Sequence, residues 1–237
     1  MDSQLQTNDA TSQDEHWIPL SDLMTGLMAL FLLISISYMV KVEADAAQIK
    51  EVAVAYSAVR DAMYEDLQAE FANDLPTWRA QIDKEQLSIR FTEPEVLFDL
   101  GSAQLKPKFQ EILDDFFPRY VAILTSEKYR DSIAEVRIEG HTSSRWNLDT
   151  LAGDSYFRNM ELSQARTRST LRYVMANPKV AQNQEWLKQF VTANGLSSSR
   201  LIMDENGQED PDRSQRVEFR VRTDAEVRIA KILSLEE

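Results

Sequence analysis

The 237-residue chain has no cysteine. Disulfides, thiol chemistry and cysteine-based metal sites are thereby excluded, and the folded part must hold together by packing alone. Histidine is scarce as well: His16 and His141 stand far apart in the chain, and no metal site is read from them. Basic residues are outnumbered, with 26 Lys and Arg against 39 Asp and Glu, and the formal charge of −13 argues against nucleic acid as a partner. No Gly-rich phosphate loop and no Ser–His–acid arrangement stands out, so the chain is not read as an enzyme and no cofactor is expected. Glu139 lies close to His141, but successive strand residues alternate faces, and the two are not taken as a catalytic pair.

Residues 1–16 are polar and acidic, without one Lys or Arg, and read as a short unordered tail. Leu23 to Val40 then runs without a charge. With the approach from Trp17, the span 17–40 covers about 24 residues, enough to cross a hydrocarbon layer of roughly 30 Å. Ala44-Asp45-Ala46 imitates a signal-peptidase site. A cleaved signal wants a basic start and an apolar region of about 7–15 residues, so a retained transmembrane helix is expected. Lys41, Lys50 and Arg60 follow the span and, taken alone, would place the C-terminal part in the cytoplasm.

Asp22 stands at the mouth of this span. A carboxylate at a membrane helix centre costs on the order of 2.5–3.5 kcal/mol, less near the interface, and such residues usually serve a function. Thr25, Gly26 and Ala29 follow at i+3, i+4 and i+7, a face of small and hydroxyl residues that permits close helix approach and offers a ligand oxygen. On spacing alone, a second reading stays open: Ser21 and Asp22 cap a helix N-terminus.

The segment 41–76 reads as a helical linker. Ile49, Val52, Tyr56, Val59 and Met63 recur at steps of three and four, Leu67 follows, and Pro76 is expected to end the helix. This is the pattern of a short coiled-coil seam between two copies, or of a helix lying on the folded domain. Residues 84–237 alternate strand and helix signals: strands at 87–91, 136–138, 216–222 and, shorter, 200–203, with helices at about 106–125, 157–176, 182–194 and 224–235. Gly195 is read as a helix C-cap. The expected fold is α+β, with helices on one face of a mixed sheet.

Two parts of the chain resemble one family. Trp17-Ile18-Pro19-Leu20-Ser21-Asp22-Leu23-Met24-Thr25 is similar to the start of a MotB-type stator helix. Val96-Leu97-Phe98, Ile138-Glu139-Gly140-His141-Thr142, Asn159-Met160-Glu161-Leu162-Ser163-Gln164-Ala165-Arg166 and Gln215-Arg216-Val217-Glu218-Phe219 resemble, in that order, an OmpA-type α/β sandwich that binds peptidoglycan. The tail lacks the basic residues of flagellar stators. The stretch around Gly140-His141-Thr142-Ser143-Ser144 looks more like the B subunits of Zorya anti-phage defence systems; a flagellar stator subunit or a non-conducting wall anchor is the alternative.

The resemblance implies a single-pass inner-membrane protein with a cytoplasmic N-terminus and a periplasmic C-terminal domain, against the weak vote of the charges. It implies a pentamer of MotA-like A subunits around two copies of this chain, with H+ or Na+ carried through Asp22, assisted by Thr25 and Ser21. For the wall, it implies that Arg166 holds the free carboxylate of a diaminopimelate side chain, near Asn159, Leu162 and Thr142. An Asp normally follows that Thr and takes the ligand ammonium. Here Ser143 stands in its place and extra residues precede Asn159, so Asp149 or Asp154 of the inserted loop is the candidate replacement, and a lost or altered ligand site is the alternative.

Overall fold

The computed structural model describes residues 11–92, 94–146 and 152–224. The chain divides into two compact units, Met1–Val52 and Ala53–Glu237. Helix α1 (Thr11–Phe71) contributes to both.

In the first unit, large apolar side chains face outward all round the helix, Leu23 at 71% and Met39 at 70% exposure among them. Mean hydropathy reaches 2.1 in an 18-residue stretch, so the helix is long and apolar enough to cross a membrane. Two hydroxyls within it are satisfied locally, as a water-free layer requires. Thr25 Oγ1 donates to the Ser21 carbonyl at 2.8 Å and Ser37 Oγ to that of Leu33 at 2.8 Å. Residues 11–16, expected to be unordered, are helical; residues 1–10 lie outside the described residues.

The second unit is built on a five-stranded sheet in the order β1-β2-β5-β3-β4, formed by β1 (Ala80–Asp83), β2 (Ser88–Phe91), β3 (Ile133–His141), β4 (Val191–Gly195) and β5 (Arg216–Thr223). Among the described residues only the β3–β4 pair is parallel. Period-two alternation decides the faces. Val217, Phe219 and Val221 of β5 turn toward the core with Val136 and Ile138 of β3, while Arg216, Glu218, Arg220, Glu139 and His141 share the other face. Short helices α2 (Leu75–Trp78) and α3 (Pro94–Leu97) flank the first strands. On the apolar face, α4 (Pro107–Leu124) buries Phe109, Phe116 and Phe117, with Phe116 against Phe219 at 5.0 Å and Phe91 at 5.3 Å between ring centroids. Beside it lies α5 (Ala152–Met175), with α6 (Gln184–Phe190) near the β4 edge and α7 (Pro211–Ser214) before β5.

Several expectations are corrected. The helix read over 182–194 stops at Phe190, and Val191–Gly195 is a strand. Gly195 caps no helix: a Cβ there would meet Gln164 Cα of α5 at 2.6 Å, so its small size serves close helix–sheet packing. Pro76 ends nothing, since α1 closes at Phe71 and Pro76 lies in the first turn of α2. Near 200–203 there is only a single bridge, Met203 to Glu209. Strand β1 was not foreseen, and with it the folded unit begins upstream of residue 84. Of the helix expected at 224–235, all but Asp224 lies outside the described residues.

The proposed seam also changes. Met63 is fully buried within its own chain, together with Leu67 and Phe71, and Val59 packs against the same core. Polar contacts hold this part of α1 in place: Asp66 accepts from Lys128 Nζ at 2.7 Å and Tyr129 Oη at 2.6 Å. Arg119 reaches Glu70 at 2.7 Å and Asp74 at 2.9 Å, and lies over the Phe71 ring at 4.9 Å. Val59 and Met63 therefore belong to the domain rather than to a second copy, because the domain supplies the apolar surface they need. Ile49, Val52 and Tyr56 precede this buried stretch. We expect Met63→Ala to lower the stability of the folded unit by about 2–5 kcal/mol, while Val54→Ala, at an exposed position, changes it by less than about 0.5 kcal/mol. Thermal unfolding of the two variants checks the difference.

Candidate functional site

In the first unit, α1 runs through Ser21 and Asp22 from Thr11, so neither residue caps a helix N-terminus. Ser21, Asp22 and Thr25 are exposed, and a Cβ added at Gly26 meets nothing within 4 Å. Helical spacing puts Asp22, Thr25, Gly26 and Ala29 on one face. The face is open to a neighbouring helix, with a carboxylate and a hydroxyl one turn apart.

In the second unit, the site is assembled where β3 ends under α5. Gly140 permits this approach, since a Cβ there would meet Thr167 Cγ2 at 2.6 Å and the Ser163 carbonyl at 3.0 Å. The consequence is that one face of α5 (Asn159, Leu162, Ser163, Arg166) stands over the segment after β3. Asn159 is buried and donates to the carbonyls of Ser143 at 3.1 Å and Arg145 at 3.3 Å. Leu162 is half-buried beside it. Thr142 is buried and its backbone N–H donates to Ser197, but its Oγ1 has no partner among the described residues. Ser143 is buried.

Arg166 is buried, and it lines a narrow cleft with Phe98, Gly140 and His141. Its Nε donates to the Ser102 carbonyl at 2.9 Å and Nη2 to that of Asp99 at 3.3 Å, with Phe98 stacked 4.9 Å from the guanidinium carbon. No carboxylate pairs with it among the described residues. Burial lowers it to about 10, so it still carries its charge at neutral pH. A buried cation held by neutral dipoles, without a counter-ion, is costly unless an anion arrives. By contrast, Arg168 is exposed. Of the two acids expected to replace the missing Asp, Asp154 is exposed in the first turn of α5 and forms no ion pair among the described residues, and Asp149 lies outside them.

The opposite sheet face carries a cluster that sequence reading missed. Glu139 and His141 are two apart on β3 and so share a face, contrary to the expectation that they diverge. His141 Nε2 lies 3.8 Å from Glu139 and 3.9 Å from Glu218. The three residues bring potential ligand atoms within 4.8 Å of one another. Four guanidinium groups crowd the two carboxylates: Arg216 and Arg90 reach Glu218 at 2.6 and 2.9 Å, and Arg200 and Arg220 reach Glu139 at 3.4 and 3.7 Å. Four positive charges around two negative ones oppose a divalent cation, and the cluster is an ionic clamp that joins β2, β3 and β5.

Burial opposes ionisation of Glu218, yet the Arg216 guanidinium, with Arg90 beside it, holds its carboxyl at about 2. Burial also pushes His141 below its usual range, Arg216 acting in the same sense and the two glutamates against it. Both shifts have one sign for stability. The glutamate contribution is complete above about pH 4.5 and is lost as pH falls toward 2; the histidine contribution is complete above about pH 6.5 and is lost below it. We expect the thermal midpoint of the folded unit to drop between pH 7 and 5, and the drop to be smaller in His141→Gln. An equal drop in both proteins would remove His141 from this account.

Three comparisons bear on this arrangement. Residues 97–222 match the OmpA family. Over 220 residues the chain is 52% identical to the Zorya protein ZorB of a strain of Escherichia coli, covering 93% of each. The crystal structure of a MotB-like protein from Desulfovibrio vulgaris covers 70% of this chain and 96% of its own, with a TM-score of 0.50 at 21% identity, a likeness of fold.

Proposed function

The chain belongs to the OmpA family and is a homologue of ZorB, and we propose that it is the wall-anchored B subunit of an ion-driven inner-membrane motor in anti-phage defence. The observation that carries the anchoring half is Arg166, a buried cation without a carboxylate partner among the described residues, in the cleft it lines with Phe98, Gly140 and His141. The ligand is the diaminopimelate side chain of peptidoglycan, whose free carboxylate supplies the missing counter-ion. A periplasmic domain follows from this reading, and with it a cytoplasmic N-terminus.

The motor half rests on Asp22. In this reading H+ or Na+ neutralises the carboxylate, which then passes an apolar surface of a MotA-like pentamer before releasing its ion. The membrane potential contributes about 2.3 kcal/mol per charge per 100 mV. Two copies sit together at the membrane helices, and any seam between them is confined to Ile49, Val52 and Tyr56, upstream of the residues that the domain buries. The 52% identity to a Zorya protein across 93% of the chain favours defence over flagellar motility. Nothing in this role calls for catalysis.

Two experiments test the halves separately. Arg166→Ala is expected to lose a charge-assisted pair, on the order of 1.5–3 kcal/mol, and to sediment poorly with purified sacculi, whereas Arg168→Ala sediments like the parent. Equal sedimentation of both would remove Arg166 from the site. For the motor, Asp22→Asn should abolish phage resistance at unchanged expression and membrane insertion. Full resistance in that variant would end the case for ion coupling through this residue.

A further inference from the structure

The position after Thr142, where the resembled family carries an acid, holds Ser143, and neither acid expected from the inserted loop is brought to it among the described residues. The structure brings a different carboxylate to this stretch. Glu209 accepts the Ser144 backbone N–H at 2.8 Å through Oε1, and the Ser144 hydroxyl through Oε2. Both donors are neutral, and no Lys or Arg pairs with Glu209 among the described residues.

The delivery is built rather than incidental. Glu209 closes a small hairpin opposite Met203, with Gly207 at φ +74° in its turn. Inside the turn, the Asp204 carboxylate accepts the backbone N–H groups of Asn206 and Gln208 at 2.8 and 2.9 Å, and the Asp204 N–H donates to the Gln208 carbonyl at 2.7 Å. Asp210 N–H donates to the Ile202 carbonyl at 2.8 Å just beyond. From the other side, Asn159 of α5 fixes the carbonyls of Ser143 and Arg145. The 143–145 segment is therefore clamped between α5 and the hairpin, and the hairpin's half of the clamp is a negative charge. Arg166 lines its cleft with His141, the last residue of β3, and Ser144 follows only three residues on. Among the described residues, an anion without a cation is thus tied to Ser144, and a cation without an anion borders Gly140 and His141 a few positions earlier.

We propose that Glu209 supplies the ammonium-binding carboxylate of the wall site in place of the absent Asp. Each of its oxygens accepts one neutral hydrogen bond and keeps a lone pair for a charged donor. The site then recognises a group bearing both a free carboxylate, taken by Arg166, and a free ammonium, taken by Glu209. This inference rests on the wall-binding reading given above.

The test uses the full-length chain in detergent and two soluble muropeptides, one with a free diaminopimelate amine and one acetylated at that amine. Calorimetric titration of the parent is expected to favour the free amine by about tenfold, a charge-assisted hydrogen bond being roughly twice as strong as a neutral one. In Glu209→Gln, which keeps an acceptor for Ser144, the preference should fall to about twofold or less at an unchanged thermal midpoint. Equal weakening toward both fragments, with the preference retained, would make Glu209 a positioning residue and overturn the proposal, as would loss of preference in Asp154→Asn but not in Glu209→Gln. Wall binding that depends on Arg166 but is indifferent to Glu209→Gln would overturn this inference alone. A parent chain that binds neither fragments nor sacculi would overturn the wall-binding reading and this inference with it.

Discussion

The close approach of α5 to β3 and β4 is the constraint on which the folded unit depends. Two glycines, Gly140 and Gly195, leave no Cβ between the helix backbone and the sheet, and at either position a methyl group would collide with α5. Distance here is chemistry: only a helix this near can send Asn159 to the Ser143 carbonyl and set Arg166 in the cleft beside Gly140. A helix one methyl group further out would leave both side chains short of their partners. The site is thus a consequence of backbone packing before it is a collection of functional residues.

Around that contact, the two sheet faces do different work. On one side, rings from α4, β2 and β5 fill the core, and the last turns of α1 join it through Phe71 and the Arg119 stack. On the other, Glu139, His141, Glu218 and their guanidinium partners fasten three strands by charge. Such a cluster is costly to bury, and it is tolerated because nearly every carboxylate oxygen meets a donor. The same end of the sheet receives the 200–216 stretch, where Arg216 Nη1 donates to the carbonyls of Arg200 and Ser214 at 3.1 and 2.9 Å. The hairpin that carries Glu209 sits within this fastened stretch.

Much of this could be read in the sequence, and the failures have physical causes. Strand β5 was legible because its apolar and charged residues alternate without interruption, and α4 because its aromatic residues keep helical spacing. Strand β4 was missed because Val191-Thr192-Ala193-Asn194-Gly195 is short, carries one strongly apolar residue and follows directly on a helix. Its glycine imitated a cap. The seam at Val59 and Met63 was misassigned because periodicity identifies the face that is buried, not the surface that buries it; the apolar core that covers them lay in the same chain. Arg166 was legible from its motif, but its lack of a counter-ion was not. Glu209 had no signal at all, since its tie to Ser144 crosses 65 positions through a polar hairpin.

The account stands or falls on whether the unpaired guanidinium is where the wall fragment binds. Selective nitrogen labelling of arginine in the full-length chain allows the Arg166 guanidinium resonances to be followed by NMR while a soluble diaminopimelate muropeptide is added. The account predicts that they shift and saturate with the binding curve, with Arg168 unchanged. Saturable binding that leaves the Arg166 resonances where they were would contradict it.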